Sequence, residues 1–330
     1  MSQRIAAGAV GETLRPGTAA RIFTGAPVPA GANAVAMQEN CELVDGEVTV
    51  KGEMRAADNI RSAGQDVAAG AVVLRAGRRL RPQDLGLLAS VGVASVVVFR
   101  PLRVAVLSTG DELVEPGTGG LRSGQLYNSN RFTLAGLLAK LGMEFIDGGI
   151  VPDNAQATAN ALTRAADMAD CVITTGGVSV GEEDHVKAQV ERLGRLDLWK
   201  LAIKPGKPLA FGAIDETPFI GLPGNPTSVF ATFCLVARPF LLKLQGATDF
   251  AVQEVWAQAG FTVARAGARR DHLRVTLENE GARLVARRFA NQSSGVLSSV
   301  SYSDALAIIP PGTVVEEGDE VQVLLLDLLA

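Results

Sequence analysis

Histidine is nearly missing from this sequence: of 330 residues only His185 and His272 carry an imidazole. That argues against a zinc site built on histidine, so any metal is expected to be held by oxygen. Cysteine is almost as scarce. Cys41, Cys171 and Cys234 are odd in number, far apart and set in apolar surroundings. They read as reduced core residues of a cytosolic protein, not as disulfides or metal ligands. No apolar run approaches ~18 residues, so the sequence offers no membrane-spanning helix. The opening Met1-Ser-Gln-Arg-Ile-Ala-Ala-Gly8 lacks the apolar core of a signal peptide. Neither charge sign dominates: 31 Lys and Arg against 35 Asp and Glu give a net charge of −4, without the basic footprint of a nucleic-acid binder. The expectation is a cytoplasmic globular protein with no nucleic-acid or membrane partner, long enough for two or three domains.

What the chain does have is glycine, placed where apolar runs end. Cys171-Val-Ile-Thr-Thr-Gly-Gly177 is the central instance, followed by Val-Ser-Val-Gly-Glu-Glu-Asp184 and a helix expected from about Glu183. Val104-Ala-Val-Leu-Ser-Thr-Gly-Asp-Glu112 precedes it, and Phe219-Ile-Gly-Leu-Pro-Gly-Asn-Pro-Thr-Ser228 follows. A glycine turn between strand and helix lets backbone N–H groups approach an anion at the positive end of the helix. In a doubly wound sheet such turns gather at the carboxyl ends of the strands, where ligands bind. Three of them favour a shared anion site.

Around this block the pattern changes. Residues 1–80 carry short β-like runs at 20–23, 34–37, 47–50 and 71–74, separated by Pro and Gly turns, which predicts an N-terminal β domain. Pro82 opens a helix to about Ser90, and Ser95–Phe99 reads as a strand, so 81–100 forms a linking element. From 101 to 247 strands alternate with helices: strand 103–107, helix 130–141, strand 144–151, a helix capped by Asp153 or Asn154, the central strand and helix, an extended segment 196–211, strand 219–222 and a helix from Pro226 to Leu244. That order predicts an α/β core, a doubly wound, mostly parallel sheet with helices on both faces. Residues 248–330 return to short strands punctuated by Gly281, Pro310-Pro-Gly312 and Gly318-Asp319, which suits a small β barrel or sandwich.

Several side chains could carry chemistry. Thr109, Thr174, Thr175, Ser179, Thr227 and Ser228 place hydroxyls beside the turns, and Lys204-Pro-Gly-Lys207 sets two cations on a stiff turn. By themselves these lysines read equally as solvated loop charges. The acids Asp111, Glu112, Asp153, Glu182, Glu183 and Asp184 also flank the turns. Carboxylates beside a phosphate cradle repel the ligand unless a cation stands between them, and Mg²⁺ is the usual one. Asp184 and Glu112 are the preferred metal ligands. Glu182 and Glu183 read as complements to a helix N-terminus, Asp153 as either a cap or a site acid, and His185 as a base or a surface residue.

Taken together, the segments Ile22–Val35, Ser108-Thr-Gly-Asp-Glu-Leu113, Asn128-Ser-Asn130, Thr174–Asp184, Lys204-Pro-Gly-Lys-Pro208 and Gly221-Leu-Pro-Gly-Asn-Pro226 resemble the molybdopterin molybdenumtransferase family, the MoeA-like proteins that include the E domain of gephyrin. The resemblance runs along nearly all of the chain. It implies a molybdopterin-binding α/β domain between a β domain and a C-terminal β barrel, an elongated homodimer, and a reaction that inserts molybdate into adenylylated molybdopterin with release of AMP and use of Mg²⁺. It implies catalytic roles for Glu112, Asp184, Lys200 and Lys204, with Glu112 and Asp184 on the metal. Substrate contacts are implied for Thr24, Asp66, Thr109, Gly110, Asp153, Gly176, Gly177, Ser179, Lys207, Pro223, Gly224 and Pro226. Ser294 and Arg274 match barrel positions that close the cleft from the partner subunit. The molybdopterin adenylyltransferase is a further expected partner. Family members usually begin with an additional segment bearing a Ser-x-Met-Asp-Gly-Tyr-Ala motif, and this sequence starts beyond it. The helical domain which that segment builds with residues near 81–100 is therefore expected to be incomplete, with one site acid absent. Two alternatives stand beside this reading: adenylate transfer to molybdopterin on the same α/β architecture, and a scaffold that binds a partner in the cleft.

Overall fold

The computed structural model describes residues 1–178 and 185–329. It divides into two compact units, Met1–Arg75 with Arg81–Ala94, and Ala76–Leu80 with Ser95–Ala330.

The second unit is built on a six-stranded sheet in the order Gly194–Lys200, Pro208–Ile214, Thr217–Leu222, Cys171–Thr175, Arg103–Thr109, Glu144–Val151. The last four run parallel, with Val106 opposite Ile173 and Val172 opposite Phe219, while the first two are antiparallel additions. Strand alternation sends Val104 and Val106 to one face and Ala105 and Leu107 to the other. The first face packs on helices Ser129–Lys140 and Pro226–Leu244 through Leu134, Leu138, Phe233 and Leu241. The second packs on Ala155–Met168 and His185–Leu193 through Ala161, Leu162, Val186 and Val190. A parallel sheet needs such cover on both faces, because its strands are apolar on both sides. Cys171 and Cys234 lie in this core, and burial pushes the Cys171 thiol up strongly and that of Cys234 to about 12.

The Pro226–Leu244 helix is one continuous rod whose middle, Phe233–Ala237, widens into a π turn. Pro239 lacks the N–H that the turn would otherwise use, which accounts for the local widening. By length and composition this helix could cross a membrane, yet 61% of its apolar stretch is buried in protein.

A closed five-stranded barrel follows: Glu254–Ala259, Arg270–Glu280, Arg283–Arg288, Ala305–Ile309 and Glu320–Leu325. The eleven-residue strand Arg270–Glu280 closes it by pairing with Arg283–Arg288 over one half and Ala305–Ile309 over the other. Beside these strands Val263 contributes a single bridge to Val315.

The first unit is less regular than its sequence predicts. Gln3–Ile5 pairs with Ala20–Ile22, and Cys41–Val44 with Glu47–Val50 across Asp45-Gly46, both at positive φ as this two-residue turn requires. The runs 34–37 and 71–74 are not strands, and in the second unit neither is 95–99. Val72 and Val97 are exposed, so β-propensity there has no partner strand to satisfy it. The helix Pro82–Ser90 forms as expected, and its Asp84 carboxylate accepts from the Arg81 N–H at 3.0 Å.

Candidate functional site

The four parallel strands end side by side, so their carboxyl-terminal turns share one edge: Thr109-Gly110-Asp111-Glu112, Pro152-Asp153, Gly176-Gly177 and Pro223-Gly224-Asn225. Their mutual contacts are short. Thr109 Oγ1 donates to the Thr175 carbonyl at 3.3 Å, and the Gly176 N–H to the Leu222 carbonyl at 3.2 Å. Gly176 holds φ of +87°, and a Cβ there would meet the Thr109 carbonyl oxygen at 2.7 Å and Oγ1 at 2.8 Å. The first and central turns are thus close enough that only glycine is admitted between them. Thr174 and Thr175 are buried with their hydroxyls unpartnered among the described residues, beneath this edge.

The acids collect on one flank. The Asp153 N–H donates to Asp111 Oδ1 at 3.1 Å. Partial burial pushes the Asp153 carboxyl above its ordinary value, and the Asp111 and Glu112 carboxylates add to this. A hydrogen bond from the Asp111 backbone and the nearness of His185 pull the other way. Asn154, not Asp153, caps the following helix by accepting from Ala157 N–H at 2.8 Å. Asp153 is therefore left to the site. Asp184, Ser179, Glu182 and Glu183 lie outside the described residues.

The third turn behaves differently from the other two. Pro226 has no N–H, and the Thr227 N–H donates to the Ser294 carbonyl at 3.0 Å. A loop of the barrel thereby takes up one of the N–H groups at the start of this helix. What the turn offers instead is Gly224, whose carbonyl accepts from Asn130 Nδ2 at 2.8 Å. Asn130 ties the helix Ser129–Lys140 to the third turn, and its Oδ1 is buried with no partner among the described residues.

Lys200 and Lys207 are exposed on the segment that crosses toward the barrel, where the Leu201 N–H donates to the Lys207 carbonyl at 3.0 Å. Lys204 is not a free loop charge. Its Nζ lies 2.7 Å from Asp271 Oδ2 on the first turn of the long barrel strand, a partner that no motif announces. Arg274 is fully buried on that strand. It is 1% exposed, and its guanidinium donates to Ser299 Oγ at 3.1 Å, and at 3.4 Å to the His272 and Ser293 carbonyls. It anchors the 289–299 loop inside this chain. Ser294 sits on that loop. Thr24 and Asp66 belong to the first unit, where Asp66, Arg61 and Gln65 line a cavity of about 620 Å³.

A mostly parallel sheet covered by helices on both faces, with its glycine turns on one edge and a closed barrel after it, defines a doubly wound α/β protein with a β-barrel domain. Residues 105–243 match the family model described as "Probable molybdopterin binding domain", residues 1–92 the "MoeA N-terminal region (domain I and II)" and residues 257–326 the "MoeA C-terminal region (domain IV)". The chain is 51% identical over 230 residues to the molybdopterin molybdenumtransferase of Haemophilus influenzae, covering 69% of this chain and 57% of that protein. It is 35% identical over 323 residues to the Nostoc molybdopterin molybdenumtransferase, covering 96% of this chain and 74% of that protein. The solved structure of the molybdopterin biosynthesis moeA protein from Pyrococcus horikoshii OT3 superposes with a TM-score of 0.83 at 32% identity, over 98% of this chain and 80% of that one. The chain belongs to the molybdopterin molybdenumtransferase family.

Proposed function

We propose that this protein acts in molybdenum cofactor biosynthesis by inserting molybdate into adenylylated molybdopterin with release of AMP, in the cytoplasm and as a homodimer. The observation that carries the reading is the meeting of the Gly110 and Gly176–Gly177 turns with the Asp111, Glu112 and Asp153 flank. Backbone at such turns approaches phosphate oxygens without side-chain obstruction. The threonine hydroxyls beside them supply further donors. Lys200, Lys204 and Lys207 offset negative charge on phosphate or on molybdate, which enters as substrate.

Among the described residues no group of three or more His, Cys, Asp and Glu side chains is arranged to hold a metal alone. Mg²⁺ needs no such cage, since it takes one or two carboxylates and completes its shell with water and phosphate oxygens. The flank fits it: it offers hard oxygen donors, and partial burial, with the neighbouring Asp111 and Glu112 carboxylates, raises the Asp153 carboxyl. Glu112 and Asp184 would hold the ion, which supplies charge neutralisation between those carboxylates and the ligand phosphate. Asp153 shapes the flank by fixing Asp111 through its backbone.

The deciding experiment incubates the full chain with adenylylated molybdopterin, molybdate and Mg²⁺ and follows AMP. Release that depends on Mg²⁺, and is lost in Glu112→Gln and Asp184→Asn at unchanged melting temperature, supports the assignment. Turnover in these variants with the wild-type Mg²⁺ dependence refutes it. Sedimentation showing only monomer at micromolar concentration would remove the homodimer.

A further inference from the structure

The segment carrying Lys204 is held almost entirely by the barrel. Ile203–Lys204 pairs in parallel with Arg270–Asp271, placing Lys204 opposite Asp271 in register. The Arg270 N–H donates to the Ala202 carbonyl at 3.0 Å, and Arg269 Nη1 to the Ile203 carbonyl at 3.1 Å. His272, in the next position, is buried. The start of this one strand thus fixes the main chain of the segment that carries Lys204.

Its side chain is held as well. Asp271 Oδ2 takes Lys204 Nζ at 2.7 Å, while Oδ1 is buried without a partner among the described residues. The carboxylate is 19% exposed and the lysine side chain 52%. The carboxylate is thus the more buried and fixed partner, whereas the half-exposed ammonium has further N–H donors open to solvent. We propose that Asp271 is a positioning residue for Lys204: it takes one ammonium donor and so aims the others at an incoming anion. The reasoning is entropic. A lysine stem is long and flexible, and a ligand that captures it must freeze it; a partner that freezes it during folding removes that cost from binding. The proposal rests on the reading of Lys204 as an anion contact given above.

A double-variant cycle tests it, with affinity of the full chain for adenylylated molybdopterin in Mg²⁺ read by calorimetry. Lys204→Ala is expected to weaken binding about ten- to a hundredfold, the loss of one charge-assisted contact. Asp271→Asn, which keeps shape and removes charge, is expected to weaken it roughly five- to tenfold, and the double variant should be no weaker than Lys204→Ala alone, because the two residues act through one contact. If Asp271→Asn does not reproduce the wild-type far-ultraviolet spectrum, Asp271→Glu carries the test. Its carboxylate, displaced by a methylene, should cost roughly two- to threefold with Lys204 present and nothing in the Lys204→Ala background. Additive losses, or an Asp271 variant that binds normally while Lys204→Ala does not, overturn the proposal and leave the functional reading standing. Normal binding by Lys204→Ala overturns both.

Discussion

The backbone N–H of Thr227 donates to the carbonyl of Ser294 at 3.0 Å, and the Thr227 hydroxyl donates to the Val296 carbonyl at 2.9 Å. Two hydrogen bonds from one fully buried residue fasten the barrel loop to the first turn of the longest helix in the α/β domain. Thr227→Val keeps the volume and deletes the second bond. It should cost about 1 kcal/mol, roughly 2–4 °C in melting temperature. Calorimetry that finds the variant as stable as wild type would mean that the hydroxyl contributes nothing to the docking.

Gly176 and Gly149 both hold positive φ, but only Gly176 is crowded. Gly149→Ala should cost about 1 kcal/mol from backbone strain alone, since nothing lies within 4 Å of its added Cβ. Gly176→Ala adds a collision with the Thr109 carbonyl at 2.7 Å, which cannot rotate away. Its expected cost is roughly 2–4 kcal/mol, with loss of anion binding. Equal denaturation midpoints for the two variants would show that the turns are not in close approach.

His272 gives the protein a pH dependence of its own. Burial depresses its pKa to about 4, against an ordinary value of 6.5. Between those values the unfolded chain binds the proton and the folded chain does not, so stability is full above about pH 6.5 and falls as pH drops toward 4. The contribution at stake is roughly 3 kcal/mol at most. Melting temperatures from pH 7 to 4.5 should fall less steeply in His272→Gln than in wild type. Parallel curves would assign the acid sensitivity elsewhere.

Asp170 operates in a lower window. The Arg100 guanidinium, hydrogen-bonded through both nitrogens at 2.6 Å, holds its carboxyl down at about 2, with help from the Arg103 N–H at 2.8 Å. Its stabilisation is present above the unfolded value near 4 and is lost as pH falls through 2. Asp170→Asn should lower the melting temperature at pH 7, and the gap to wild type should narrow as pH falls from 4 to 2. A gap constant across that range would mean that charge plays no part in the contact.

The sequence made the α/β core legible because three of its four parallel strands are apolar runs followed by a glycine turn, and three of its helices have readable starts. Asn128 and Asn154 cap theirs as such residues do, and Pro226 opens the long helix. The N-terminal unit was harder to read. Ala34–Met37 and Ala71–Leu74 have the composition of strands, but a strand exists only when another chain segment takes its N–H and C=O groups, and that is not written locally. The motifs along the chain carried the family, and the structure places Asp111 and Glu112 beside Gly110 at the strand ends.

Sequence alone therefore determined the residue types at the strand ends, the scarcity of soft metal ligands and the family to which the chain belongs. These are local properties: backbone freedom at glycine, the chemistry of carboxylates and lysines, and order along the chain. Only the tertiary structure decided which of those groups are already engaged. Lys204 meets Asp271, Thr227 meets Ser294, and Arg274 turns inward to Ser299, in each case across a long stretch of chain. Hydrogen bonds and ion pairs act over about 3 Å, so a partner is set by where the sheet and the barrel bring distant segments together, which the spacing of residues along the chain does not encode.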